Sequence, residues 1–361
     1  MKKLLVLLLI ISSLTAVTAQ STAVTIPGTQ LRKITSKIVK GQEYDLHISL
    51  PSGYESSDKK YPVVYLMDSQ WDFPLVNSIY GEQYFDGFVP ELIIVGVTWG
   101  GINPNPDALR ARDYTPTNVS GTQQSGGADQ FLDFMKAELF PYIDANFRTD
   151  KENRTLMGCS LGGLFTVYTL FTHTDMFSGY IAASPAIAWD NSVLYKFEKT
   201  FAQKTIAKPI RLFMTVGDVE GGRETFERFS AFVQDKKHSN LYAYSKVLEN
   251  TGHSGTKSET YSRGLQYVFE RKKLDLSSDV LNKYVGDYQF PSGEVLNIKK
   301  EKNQLVCSFA NKNQLQLLAN SDHHFYARSE FFNIYFDEVN GETTGLRMEV
   351  YGKQFLLKKH N

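Results

Sequence analysis

The chain has 361 residues, and its 39 Lys+Arg against 39 Asp+Glu give a formal net charge of zero. That length allows one large domain and a small one, and the charge balance argues against the basic face of a nucleic-acid binder. Two cysteines, Cys159 and Cys307, lie in different regions and make no disulfide framework.

Residues 1–20 read as a signal peptide. Lys2 and Lys3 form the charged start, Leu4 to Leu14 the apolar stretch, and Val17-Thr18-Ala19 a small-residue cleavage site. The mature protein is then expected to be secreted or periplasmic, with no stable membrane span after cleavage; the runner-up is an uncleaved membrane anchor, for which the apolar run is short. Two strand-like runs follow, 30–39 and 43–50, and the alternation Asp45-Leu46-His47-Ile48-Ser49-Leu50 reads as an edge hairpin in which His47 is a strand residue. Tyr61 to Asp68 and Glu91 to Val97 are continuous apolar runs, as expected of buried parallel strands.

The stretch 100–127 is polar and irregular, and it reads as a long loop carrying Arg110-Ala111-Arg112-Asp113-Tyr114-Thr115-Pro116. A loop of that length is either functional or a solvated surface with ordinary ion pairs. Asp129 to Phe147 has helical periodicity. Then come Thr155-Leu156-Met157, the hexapeptide Gly158-Cys159-Ser160-Leu161-Gly162-Gly163 and the helix-like Leu164 to Leu170. A strand, a G-x-S-x-G turn and a helix make a nucleophile elbow, in which the serine hydroxyl stands clear at a strained corner. Cys159 would point inward, as small core filler. Further strands are expected at 179–185, 210–216 and 241–248, with helices at 225–237 and 258–271. Strands alternating with helices, after an antiparallel start and with an elbow, define an α/β-hydrolase fold over residues 21–274: a mostly parallel sheet with helices on both faces.

From about residue 272 the texture changes. Leu274 to Ser278 resembles a linker, and 275–361 reads as a small all-β domain, a barrel or sandwich of unknown role. Its hairpin signals are Glu301-Lys302-Asn303 and Val339-Asn340-Gly341. His323-His324 lacks a third ligand for a metal site.

Acyl transfer needs a nucleophile, a base and a carboxylate that orients the base. In this fold class they come in the order serine, acid, histidine, the last two on loops after later strands. Ser160 is the nucleophile, and His253, in Asn250-Thr251-Gly252-His253-Ser254, is the histidine placed just after the last strand. The acid comes from the 217–221 loop. Glu220 is preferred because its longer side chain reaches back over the sheet; Asp218 is the second candidate, and the one not used could cap the helix near Thr225. The oxyanion hole is expected from the backbone N–H groups of Leu161 and of Gln70 or Ser69, in the loop after the first central strand. No metal or organic cofactor is required.

These stretches resemble the esterase family that includes siderophore (enterobactin-type) esterases, feruloyl and acetylxylan esterases and S-formylglutathione hydrolase. The matching residues are Tyr61 to Asp68, Gly158 to Gly163, Ser184-Pro185 with Trp189, Val216 to Glu220 and Gly252-His253, within roughly 30–270. With the Arg110–Pro116 stretch, the likeness is greatest to the siderophore-esterase branch. The resemblance implies an acid three residues after the loop glycine, at Glu220. It also implies a His-Gly or Asp-Gly at the strand end, where this chain has Asp68-Ser69.

The reading is a serine carboxylic-ester hydrolase working through an acyl-enzyme, on a siderophore lactone or an acyl or aryl ester of a sugar. Arg110 and Arg112 would meet an anionic ligand, and Trp71 and Trp189 a flat acyl group or a sugar. The alternatives are a secreted ligand- or carbohydrate-binding protein on a hydrolase scaffold, or an acyltransferase with the same triad. The expected partner is a small-molecule or glycan ester, with no nucleic acid; the sequence is silent on oligomeric state.

Overall fold

Alternation at the start of the chain and unbroken apolar runs after it produce different kinds of strand. In the computed structural model, residues 25–271, 273–309, 314–328, 332–350 and 353–360 are described; the expected signal peptide at 1–20 lies outside them. β1 (Thr29–Thr35) and β2 (Glu43–Ser49) form an antiparallel pair, and β2 lies antiparallel to the strand Ile93–Trp99. The remaining strands are parallel: β3 (Tyr61–Leu66), β4 (Ile93–Trp99), β5 (Thr149–Cys159), β6 (Gly179–Ala183), β7 (Ile210–Gly217) and β8 (Leu241–Leu248). Their order is β1-β2-β4-β3-β5-β6-β7-β8. Every residue of β4 is buried, as a strand covered on both faces requires. β8, at the edge, alternates and leaves Tyr242 and Tyr244 exposed.

The period of two divides each central strand between two cores. Val63 and Tyr65 face one apolar cluster, with Phe131, Leu164 and Phe165. Val64 and Leu66 face the other, with Phe73, Val76, Tyr261 and Leu265. The second face is covered by α1 (Ser69–Phe85) and by α9 (Thr256–Val268) after β8. The first is covered by helices from the intervening segments: α2 (Pro106–Tyr114), α3 (Ala128–Phe134), α4 (Phe140–Asn146), α5 (Leu161–Thr172), α6 (Trp189–Ser192), α7 (Leu194–Phe201) and α8 (Arg223–Asp235). This is the α/β-hydrolase arrangement.

Two segments differ from expectation. The stretch read as a loop at 100–127 contains α2, which Asn105 caps by accepting from the Ala108 N–H, with Pro106 as its first residue. The helix expected at 129–147 is interrupted by a π turn, Met135–Leu139, just before Pro141. Proline has no N–H to bond back four residues, so the helix widens there.

After α9 the chain crosses to a second body. The stretch read as a linker makes one bridge, Leu274 N–H to Ala319 O at 3.0 Å, and leads into α10 (Ser278–Lys283). Strands β9 (Gly286–Gln289), β10 (Val295–Glu301), β11 (Gln304–Phe309), β12 (Leu315–Ala319), β13 (His324–Ala327), β14 (Phe332–Val339), β15 (Glu342–Val350) and β16 (Lys353–His360) follow in an antiparallel meander. It closes because β9 pairs with both β10 and β16. Asn340 and Gly341, both at positive φ, form the tight turn between β14 and β15. Leu281 of α10 and Tyr284 just after it join the barrel core, Tyr284 stacked on Phe336 at 4.1 Å.

The barrel meets the first body at the amino ends of its parallel strands. Lys59, two residues before β3, bonds Glu349 at 2.9 Å and Glu91 at 3.4 Å, and Arg271 donates to Asn333 at 3.0 Å.

Candidate active site

The chain turns sharply at Ser160, with φ 58° and ψ −114°, a conformation that L residues rarely adopt. Its backbone is held on both sides: its N–H donates to Ala183 O at 3.0 Å, and its carbonyl accepts from Leu164 and Ala186. Glycines make the turn possible. A Cβ on Gly158 would lie 2.6 Å from the Gly162 carbonyl, and one on Gly163 2.9 Å from Pro185 Cα. Cys159 points inward and is buried, and burial pushes its thiol up to about 12, so it is not a thiolate nucleophile.

The expected acid and base meet at the carboxyl end of β7 and β8. Glu220 Oε2 lies 2.6 Å from His253 Nδ1. Its other oxygen, Oε1, accepts from Ser184 Oγ at 2.6 Å and from Gly217 N–H at 2.7 Å. Burial pushes the Glu220 carboxyl up, but the donors Ser184, Gly217 and His253 outweigh it, so its pKa lies below the ordinary glutamate value. An ionised carboxylate only accepts, so Nδ1 carries the proton and Nε2 has the lone pair. The His253 ring is half exposed, while Glu220 is nearly covered.

Asp218, the second candidate, takes neither role foreseen for it. Its Oδ1 accepts from Thr251 N–H at 3.0 Å, fastening the acid loop to the histidine loop, and the first residue before α8 is Gly222. Gly217 has the same partner: a Cβ there would come under 3.0 Å from the Thr251 carbonyl oxygen.

Sequence reasoning missed Ser184. This serine, at positive φ after β6, lies between the two residues that anchor Ser160, donates to Glu220 and contacts Thr256 Oγ1 at 2.9 Å. Thr256 in turn donates to the His253 carbonyl at 2.7 Å. The only sequence signal was the Ser-Pro dipeptide at a strand end.

The place expected to supply a second oxyanion donor is not a loop but the first turn of α1. Met67 N–H bonds Met157 O at 2.9 Å, and a Cβ on Gly162 would sit 3.3 Å from both Met67 Cβ and Asp68 Oδ2. The N-termini of α1 and α5 therefore lie side by side. The first N–H groups of a helix have no intrahelical acceptor, so the backbone N–H groups of Ser69, Gln70 and Leu161, for which no acceptor is seen among the described residues, stand at two positive helix ends. The Ser69 hydroxyl lies 3.0 Å from His47 Nδ1, on β2, as the strand reading of His47 allows. Both polar atoms of the Gln70 side chain are buried without a partner among the described residues.

The four side chains expected to meet substrate divide. Arg110 grips Asp68 with two bonds, 3.1 and 2.8 Å, and lies 5.6 Å over the ring of Trp71, which is half exposed. Arg112 is a structural residue instead. It bonds Asp113 at 2.6 and 2.9 Å and Gln42 at 3.1 Å, in a buried cluster where Asp113 also accepts from Tyr44 and Trp99. Trp189 donates from Nε1 to Thr117 at 3.1 Å and is partly buried. Among the described residues no three His, Cys, Asp or Glu side chains converge as metal ligands, and His324 is bonded to Asn320 and Asn333.

A family model described as "Putative esterase" matches residues 36–289, and one described as "Domain of unknown function (DUF3471)" matches 270–359. The chain is similar to the ferri-bacillibactin esterase BesA of Bacillus subtilis, 30% identical over 272 residues that cover 69% of this chain and 92% of that protein. Among solved structures it is similar to the BES protein from Bacillus cereus, with a TM-score of 0.62 and 28% identity, covering 70% of this chain and 98% of that one. It is also similar to an IroE-like serine hydrolase from Shewanella oneidensis, with a TM-score of 0.59 and 26% identity, covering 70% and 82%.

Proposed function

This chain belongs to the esterase family and is a carboxylic-ester hydrolase; on that premise we propose that Ser160, His253 and Glu220 are its catalytic triad and that its substrate is a siderophore ester. The single observation that carries the triad is the Glu220 carboxylate, which fixes the tautomer of His253 at 2.6 Å. His253 Nε2 takes the proton of Ser160 as its oxygen attacks the ester carbonyl. The N–H groups of Leu161 and Gln70 receive the developing oxyanion. His253 then gives its proton to the departing alcohol, leaving an acyl-Ser160. Water, deprotonated by the same Nε2, releases the acid and restores the serine.

The siderophore assignment follows the name of the BesA relative and agrees with the mouth of the site. There Arg110, ion-paired with Asp68, braces the ring of half-exposed Trp71, a flat apolar surface suited to a planar acyl group. The first twenty residues support export, so the substrate would be met outside the cytoplasm.

The test uses protein from residue 21 onward and its Ser160→Ala variant, with p-nitrophenyl butyrate, a catecholate trilactone and a feruloyl sugar. Turnover that disappears in the variant, and a kcat/KM for the trilactone at least tenfold above that for the feruloyl sugar, is the expected result. Turnover that survives Ser160→Ala overturns the triad. A preference for the feruloyl sugar overturns the substrate class and leaves the triad standing.

A further inference from the structure

A second concave site lies far from Ser160 in the fold, where the exposed edge of the hydrolase sheet meets the barrel. We propose that this cleft binds a planar aromatic acid as its anion, held between an aromatic platform on the sheet and arginine–aromatic pairs on the barrel side.

The cavity measures about 530 Å³, within the range of small-molecule sites. Its floor is a patch of three rings. Phe213 and Tyr244 are cross-strand partners on β7 and β8, stacked at 5.5 Å and 15°. Tyr267 of α9 completes the patch at 5.8 Å from each. Tyr244 is 46% exposed although it belongs to this patch. Stacked rings with an open face favour a flat π-system over a chair-shaped sugar.

The opposite wall carries charge. Arg271 lies 4.7 Å over the Tyr326 ring, and Arg328 lies 5.1 Å over Phe88. Lys246 and Arg263 also line the space, so among the described residues four cations surround it against one carboxylate, Glu270. That carboxylate is engaged by Arg211 at 2.8 Å, and Lys246 by Glu259 at 2.7 Å. Arg263 donates only to the neutral Gln266 amide, at 3.0 Å; among the described residues neither it nor Arg328 reaches a carboxylate. Burial pushes the Arg271 guanidinium down from its ordinary value, and the nearby Arg328 acts in the same direction. A carboxylate in the cleft would be met by Arg263 and Arg328, and its ring would lie on the open side of Tyr244 and Tyr267.

The site is independent of the catalytic one. Arg263 and Tyr267 stand in the second half of α9, which starts beside His253 and runs back along the sheet. None of the catalytic loop residues lines the cavity.

The experiment titrates the whole protein calorimetrically with 2-naphthoate, cyclohexanecarboxylate and 2-naphthamide. It is repeated with Arg263→Gln and with Arg263→Gln/Arg328→Gln, while ester hydrolysis is followed in parallel. Saturable 2-naphthoate binding is expected, weakened at least fivefold by Arg263→Gln and further in the double variant, with the other two probes at least tenfold weaker. Ester hydrolysis should be unchanged in Arg263→Gln, whose exposed side chain bonds only Gln266, one turn further along α9, among the described residues. Unaltered 2-naphthoate affinity in Arg263→Gln, equal affinity for cyclohexanecarboxylate, or no saturable binding overturns the proposal, and none of these results touches the catalytic reading.

Discussion

Gly217 and Thr251 are packed so closely that a Cβ on Gly217 would come under 3.0 Å from the Thr251 carbonyl oxygen. The acid loop begins at one and the histidine loop contains the other, so this contact sets the separation of Glu220 and His253. Gly217→Ala must push the loops apart. The expected outcome is a fall in kcat/KM of about a hundredfold, the scale of a displacement near 1 Å, with a loss of about 1–3 kcal/mol in stability. Steady-state assays and urea melts measure the two effects; unchanged kcat/KM would mean that the loops are not coupled.

Ser184→Ala removes one of the donors that hold the Glu220 carboxyl below its ordinary value. A carboxyl depressed in the folded state contributes stability above its unfolded pKa, and that contribution disappears as pH falls through the folded pKa. Without Ser184 the folded pKa rises toward the unfolded value of about 4.3. The variant should therefore be roughly 2 kcal/mol less stable at neutral pH, and its stability should depend less on pH below about 5. Urea midpoints between about pH 3 and 7 test this; parallel curves for the two proteins would refute it.

Gln70 offers a contrast between binding and stability. Its side-chain amide is buried without a partner among the described residues, so Gln70→Ala removes no protein hydrogen bond seen there and leaves the backbone N–H in place. Its melting temperature should stay constant or rise. If that amide meets the substrate, kcat/KM for the siderophore ester should drop about tenfold. A clear loss of stability with unchanged kinetics would reverse the assignment.

Arg110 and Arg112 should separate in the same two assays. Arg112→Gln leaves the buried Asp113 without its cation and should cost about 3 kcal/mol of stability, with KM little changed. Arg110→Gln loosens Asp68 and the start of α1 and uncovers Trp71, so it should raise KM for anionic esters more than for neutral ones. Equal effects on both readouts would show that the two arginines share one role.

With its thiol pushed up to about 12 and almost no exposure, Cys159 should resist iodoacetamide at pH 8 with activity intact. An organophosphate directed at Ser160 should abolish activity under the same conditions. Inactivation that tracks carbamidomethylation of Cys159 would contradict this.

The elbow was legible because its signal is local: three glycines, a serine and an apolar strand within a single short stretch. Ser184 was not, because its partner Glu220 lies 36 residues away and nothing in a Ser-Pro pair names that partner. The arginines were grouped because the segment read as a loop. In α2 they lie two positions apart, roughly 200° around the axis, so one faces Asp68 and the other Asp113. The helix itself was hidden by its polarity, although Asn105-Pro106 is a cap followed by a first-turn proline. Of the second body the hairpin turns were readable; closure was not, since it joins β9 to β16 across most of the segment's length.

That closure has a consequence for the order in which the chain takes shape. The parallel sheet has all its strands by Leu248, and α9 ends at Val268, so this body can fold while the ribosome is still translating the barrel segment. The barrel cannot. Its first strand waits for its last, Lys353–His360, and the long loop between them must close before either edge is protected. A ribosome stalled short of β16 would thus release a finished hydrolase trailing an open, edge-exposed sheet, prone to pairing with other chains.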